Sequence, residues 1–285
     1  MQERLSTPVP SYYDANVVFT DPAPVRSAFQ FGRVVFMQGF KPTVILLYTV
    51  LALTIWKYVP NAPRITVSEP SASAPAIALG DERVQVNFLT SEAPPSYDLV
   101  DFVWNARKLW LAFFLMGVIP ACIVKFVFRE KLADYGLSFG VKRRTLVNIL
   151  LFLPVFVVMG WLSGADTGFY AVYPFNPLAG VSYGALITHS IMYVTLYYLA
   201  WEFMFRGFIQ HGLLDVSGAP TAVCVQVLAS TMLHYGHPAS ETFSCIAGGL
   251  FWGYLALRTR SIFAGCCHHA VLGVLLDWSL ILNAG

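Results

Sequence analysis

Apolar runs about as long as a bilayer is thick recur along this chain of 285 residues, and no other feature restricts its fold as strongly. A helix rises 1.5 Å per residue, so about 20 residues cross a hydrocarbon core roughly 30 Å thick. Runs near that length occupy about Thr43–Val59, Leu109–Val127, Leu146–Ser163, Ala185–Leu213, Ala219–His234, Phe243–Leu257 and Ile262–Leu282. Lipid offers no partner to a backbone N–H or C=O, so such runs must close their hydrogen bonds internally, as helices do. They predict an all-α, polytopic transmembrane bundle of about seven membrane-spanning helices. With 56% hydrophobic and 12% charged residues, the composition lies far from the soluble average. A net charge of +2, with no basic run interleaved with aromatics, leaves no footprint for nucleic acid.

Residues 1–42 carry Pro8, Pro10, Pro22 and Pro24 among scattered charges and lack the short apolar stretch of a cleavable signal. They read as a cytoplasmic tail, and 43–59 as a first anchor closed by Trp56, Tyr58 and Pro60. Residues 60–108 turn polar, with Pro/Ser/Ala-rich Ser68–Pro75 and a second cluster at Pro94, Pro95 and Ser96, as an extracytoplasmic loop would. Residues 109–184 hold two further spans around a basic loop of Arg129, Lys131, Lys142, Arg143 and Arg144, whereas Gly164–Gly184 contains neither Lys nor Arg. The positive-inside rule puts the basic loop, Arg258 and Arg260 in the cytoplasm and the C-terminus outside. Residues 185–285 form the core bundle. The five cysteines all fall in apolar spans and read as small buried hydrophobes, without a disulfide framework.

Beyond Thr145 formal charges are few, yet Glu202 and Arg206 sit deep in one apolar run and Asp277 in another. An ionisable group at that depth costs roughly 2.5–3.5 kcal/mol on insertion scales, so it is normally paired, turned inward and functional. A spacing of four places the Glu202 carboxylate and the Arg206 guanidinium on one helical face. Of the histidines, His234, His237, His268 and His269 follow this helix at the ends or inside of later runs. Helix rise puts Glu202 roughly 16–20 Å, His234 roughly 24 Å and His269 roughly 13 Å above the inner surface, which allows one shared polar site. His189 and His211 read as structural.

These residues resemble the CAAX prenyl protease and bacteriocin-processing (Abi) family of glutamate-type intramembrane proteases. The first family motif, Glu-Glu-x-x-x-Arg, aligns with Trp201-Glu202-Phe203-Met204-Phe205-Arg206. The second, Phe-x-x-x-His, aligns with Ser230-Thr231-Met232-Leu233-His234, and the last, a His near the start of the final helix, with His269. Leu255–Ile262 is similar to the family's link between its last two core helices. Trp201 stands at the first glutamate, Ser230 at the Phe, and Gly273 where many relatives carry Asn. Trp-Glu combined with His-Tyr-Gly-x-Pro-x-x-Glu is similar to a bacterial branch of the family, which implies a multi-pass protein of a bacterial inner membrane.

The resemblance implies an intramembrane endopeptidase acting on a membrane-anchored or lipid-adjacent peptide, with Glu202, His234 and His269 catalytic and Arg206, Glu241 and Asp277 supporting. Its partners are then a membrane protein or peptide substrate and the lipid bilayer, and it takes no cofactor. Peptide hydrolysis needs a water, a base and donors for the oxyanion. With the first glutamate absent, Glu202 and Glu241 are both candidate bases; His234 is placed to orient water and His269 to meet the oxyanion. Asp277, eight residues after His269, is a candidate to hold that imidazole. Zinc is disfavoured, because His234-Tyr235-Gly236-His237 lacks the i, i+4 spacing of a helical two-ligand face. The competing reading is a non-catalytic scaffold, immunity protein or chaperone of the same fold; a transporter lacks the expected pair of broken helices. Cysteine-accessibility labelling tests the topology: Arg129–Arg144 should label from the cytoplasm and 60–108 from the other face, and labelling of both from one face overturns the assignment.

Overall fold

A computed structural model describes residues 28–59, 76–79, 82–85 and 99–283. The expected tail before residue 28 and most of the 60–108 loop lie outside the described residues. Two compact units divide after Lys41: Met1–Lys41 holds the start of the first helix, and Pro42–Gly285 the remainder.

Helix α1 spans Ala28–Tyr58. In the loop that follows, β1 (Ala76–Leu79) and β2 (Glu82–Gln85) pair antiparallel with Ala76 opposite Gln85, so strand pairing among the described residues is confined to this hairpin. Helix α2 (Leu99–Asn105) leads into α3 (Arg107–Phe128), and α4 follows at Lys142–Ser163. One continuous helical stretch then runs from Tyr183 to Leu233, broken only where Gly218 leaves helical geometry at φ 73, ψ 163. We name its arms α5 (183–217) and α6 (219–233). Helices α7 (Ala239–Thr259) and α8 (Phe263–Asn283) complete the chain.

Five stretches among the described residues are long and apolar enough to cross a membrane: Gly39–Tyr58, Arg107–Phe128, Lys142–Ser163, Tyr183–Leu233 and Phe263–Asn283. Of the seven runs expected, Ala185–Leu213 and Ala219–His234 both lie within Tyr183–Leu233, and Phe243–Leu257 has no counterpart among the five. The 51 residues of Tyr183–Leu233 would reach about 76 Å if straight, more than two bilayer cores. Instead the arms fold back: Gln210 and Gln226 both reach Gly253, where an added Cβ would lie 2.8 Å from the amide of each. Helix α7 has membrane length, 21 residues, but its Ser, Thr, Gly and Glu241 make it less apolar than the others. Of these, Gly249, Gly253 and Thr259 are buried, while Ser240, Glu241 and Ser244 border the cavity described below. The protein is an integral, multi-pass membrane protein with an all-α bundle.

Helix α4 shows how lipid replaces water as the solvent: Leu146, Leu150, Leu151, Val155, Val158 and Leu162 are exposed, and only Thr145, Phe156 and Gly160 are buried. Lipid provides little hydrophobic drive between helices, so close backbone approach and polar ties hold the bundle. Gly160 admits α8 so closely that an added Cβ would lie 2.5 Å from the Leu272 carbonyl oxygen. The Gln210 and Gln226 amides each donate to α7, to Gly253 O and Gly249 O, at 2.9 Å. Trp56 of α1 packs edge-on against Trp201 of α5, with ring centroids 6.0 Å apart. The cysteines depart from their expected burial: all are free, only Cys266 is buried, and Cys122 and Cys224 are exposed. A neutral thiol is comfortable against lipid, so exposure there carries no penalty.

Gly218 lies in a backbone region essentially reserved for glycine, with nothing within 4 Å of an added Cβ. Gly218→Ala should therefore cost about 1–3 kcal/mol through backbone strain alone. Detergent-solubilised unfolding would measure it against Gly184→Ala, whose Cβ meets only Ser182 Oγ at 3.8 Å. Wild-type stability in Gly218→Ala contradicts the hairpin geometry.

Candidate active site

The chemistry gathers on three elements: the middle of α5, the turn from α6 into α7, and the first half of α8. On α5 the expected i, i+4 pair is present, with Arg206 Nη1 donating to Glu202 Oε1 at 3.0 Å. The same oxygen accepts from His269 Nδ1 at 2.9 Å, which ties α8 to α5. Glu202 has no exposed surface, and its Oε2 is buried without a hydrogen bond. Gly265 makes room for it, since an added Cβ would stand 2.6 Å from Oε2. Two donors fix the carboxylate inside the protein.

His234 caps the end of α6, where Gly236 turns the chain at φ 93 and Pro238 opens α7. Its Nδ1 bonds the Ser230 carbonyl oxygen at 2.8 Å; a carbonyl only accepts, so Nδ1 carries the proton and Nε2 faces outward. Glu241, in the first turn of α7, meets this imidazole with Oε1 3.6 Å from His234 Nε2. That separation is too long for a direct hydrogen bond. The Glu241 carboxylate is held from two other sides: His237 Nδ1 donates to Oε2 at 2.9 Å and the Tyr173 hydroxyl to Oε1 at 2.6 Å. Burial, with Glu241 beside it, pushes the Tyr173 phenol well above its ordinary value, so it remains a donor.

Both groups border a cavity of about 520 Å³. Its wall includes Trp201, Arg206, His234, Glu241 and His269, but not Glu202. Trp201 is edge-on to both imidazoles, to His234 at 5.7 Å and to His269 at 6.2 Å. His269 stacks on Trp252 at 4.4 Å and contacts the tilted ring of Tyr198 at 4.8 Å. Toward the loop after α4 the wall is polar, where Ser240 Oγ donates to Asp166 Oδ2 at 3.1 Å. Between α4, α7 and α8 it is apolar, lined by Phe156, Phe251 and Leu272.

Other sequence candidates lie elsewhere. His268 points away, its Nε2 3.1 Å from the Ile149 carbonyl oxygen and its ring stacked on Phe156. Asp277 does not hold His269: eight residues are about 12 Å of helix, and it pairs with His189 of α5 at 2.9 Å. His211 bonds the Arg206 carbonyl oxygen through Nδ1 at 2.5 Å. Among the described residues no three His, Cys, Asp or Glu side chains are arranged to hold a metal. Tyr173, Asp166 and Tyr198 were not found from the sequence. The one available signal was the density of aromatics in the uncharged 164–184 segment and in Tyr193–Tyr198.

Residues 184–275 match the family model for Rce1-like proteins, described as type II CAAX prenyl endopeptidase Rce1-like. That part of the bundle is similar to the Rce1-like family. No curated protein and no solved structure matches the chain. The Rce1-like segment contains Glu202, Arg206, His234, Glu241, His269 and Gly273, while Asp166 and Tyr173 reach its cavity from the preceding loop.

Removing one partner of a buried ion pair strands the other, at a cost of about 3–5 kcal/mol. Glu202→Ala in the Rce1-like bundle should lower unfolding stability in detergent by about that amount, and more than Glu241→Ala at the cavity wall. Equal unfolding midpoints for the Glu202 variant and the wild type would show that the buried carboxylate holds nothing together.

Proposed function

We propose that this chain is an intramembrane endopeptidase that hydrolyses a membrane-anchored or lipid-adjacent peptide segment, with Glu241 and His234 activating the water. The family described for residues 184–275 is one of endopeptidases, which supports peptide hydrolysis as the reaction class. The observation that carries the assignment is the 3.6 Å gap between Glu241 Oε1 and His234 Nε2 on the cavity wall. Both atoms are acceptors, and the gap suits a shared water that donates one hydrogen to each. Glu202, the other candidate base, has its Oε1 occupied by two donors and does not border the cavity.

In the proposed step the water oxygen bonds to the scissile carbonyl carbon and its proton passes to Glu241. The carbonyl π pair moves onto oxygen. Collapse breaks the C–N bond, and the proton held by Glu241 leaves on the amine. His269, oriented by Glu202 through Nδ1, turns Nε2 toward the carbonyl oxygen and, when protonated, donates to it. Arg206 holds Glu202 in place and is a positioning residue. The apolar part of the cavity suits a lipid-attached or membrane-buried stretch, and the polar mouth its emerging end. The Trp-Glu pattern supports a bacterial inner membrane as the setting.

The test uses the full chain in liposomes with a farnesylated peptide ending in a CaaX sequence and, separately, a transmembrane-anchored peptide, with cleavage read by mass spectrometry. A positioned general base contributes about 10²–10⁴ in rate, so Glu241→Gln and His234→Ala should lose that much with normal insertion. Full biological function in the double variant Glu202→Gln with Glu241→Gln excludes hydrolysis and leaves the scaffold reading.

A further inference from the structure

The α8 face that carries His269 has no side chain one turn later, because Gly273 follows at i+4 on the same face. That notch is filled from α5. A Cβ added to Gly273 would lie 1.5 Å from the Tyr198 hydroxyl oxygen and 2.6 Å from Tyr198 Cζ, so the phenol occupies the volume of the missing side chain. The Tyr198 ring also contacts the His269 ring at 4.8 Å, and both residues line the cavity. A phenolic hydroxyl and an imidazole thus reach the cavity side by side from two different helices. Tyr193, whose ring lies 4.5 Å from that of Tyr198, is a hydrogen-bonding neighbour of its side chain. Tyr193 in turn packs at 5.2 Å on His189, which Asp277 holds.

We infer that the Tyr198 hydroxyl is a catalytic oxyanion donor, acting beside His269 on the carbonyl oxygen of the scissile bond. The inference rests on the peptidase reading above. As water attacks, the carbonyl π pair collects on oxygen, and Tyr198 O–H donates a hydrogen bond to it without giving up its proton; on collapse the pair returns to carbon as the C–N bond breaks. Donors that are fixed before the reaction stabilise charge that develops only in the transition state, which is the source of their effect on kcat. Gly273 belongs to the same device. Any side chain there displaces the phenol, so the glycine and the tyrosine form a matched pair. The buried His189–Asp277 pair and Tyr193 set the rotamer of Tyr198 from behind.

The test pairs Tyr198→Phe, which keeps the ring and removes the donor, with Gly273→Ala, which keeps the donor and pushes it aside. Cleavage of the farnesylated CaaX peptide in liposomes should fall by about 10²–10³ in kcat for Tyr198→Phe, with KM changed less than about threefold. Binding of a peptidyl phosphonamidate, which mimics the tetrahedral centre, should weaken by a similar factor, while binding of the uncleaved peptide to Glu241→Gln protein is unchanged by adding Tyr198→Phe. Gly273→Ala should show the same kcat loss, and the double variant should be no slower than Tyr198→Phe alone. Tyr198→Phe within threefold of wild type in kcat and phosphonamidate affinity overturns the role of Tyr198 and leaves the peptidase standing. Absence of cleavage by the wild-type chain, with tight phosphonamidate binding also absent, overturns the peptidase reading itself.

Discussion

Glu202 Oε1 accepts one hydrogen bond from Arg206 on its own helix and another from His269 on the last helix, with no exposed surface on the carboxylate. In a bilayer a lone carboxylate at that depth would be costly, and these two donors are what make it tolerable. The consequences spread outward. α8 is tied to α5 here as well as through Asp277 and His189, Gly265 has to stay without a side chain, and the His269 ring is set with Nδ1 inward and Nε2 outward. The same grip removes Glu202 from the cavity wall, so a hydrolytic water must look to another carboxylate. On the proposed reading that carboxylate is Glu241, presented by the first turn of α7 and steadied by Tyr173 and His237.

The departures from the family pattern are spatially coherent. The indole of Trp201 occupies the first glutamate position and touches both imidazoles edge-on, while a carboxylate, Glu241, meets His234 from α7. Gly273 replaces the expected Asn, and Tyr198 fills the space it vacates. Each lost polar group has a polar neighbour reaching in from another element, and each such neighbour is large or long enough to bridge the gap.

The membrane spans were legible in the sequence because lipid imposes length and apolarity directly. The Gly218 turn was legible as well, because Asp215, Ser217 and Gly218 interrupt the apolar pattern between the runs Ala185–Leu213 and Ala219–His234. The Glu202–Arg206 pair was equally legible, being fixed by helix geometry, and the resemblance singled out His269 over His268. Glu241 was already a candidate base, but the turn signals Gly236 and Pro238 did not show that a helix starts at Pro238 and presents the carboxylate from its first turn. Tyr173 lies 68 residues from Glu241, and Asp277 88 residues from His189, so both partnerships are products of tertiary packing that no local pattern encodes. Nothing local sets Tyr198 apart from the neighbouring tyrosines, since its place is defined by Gly273 on another helix.

Chemical rescue separates a carboxylate that takes a proton from one that merely holds the fold. Glu241→Ala protein in liposomes, given the farnesylated CaaX peptide and increasing formate, places a small exogenous carboxylate within reach of His234 through the cavity. The expected result is cleavage that falls by about 10²–10⁴ without formate and rises with formate concentration, while His234→Ala protein stays inactive at every concentration. Wild-type cleavage by Glu241→Ala in the absence of formate would contradict the assignment of Glu241 as the base.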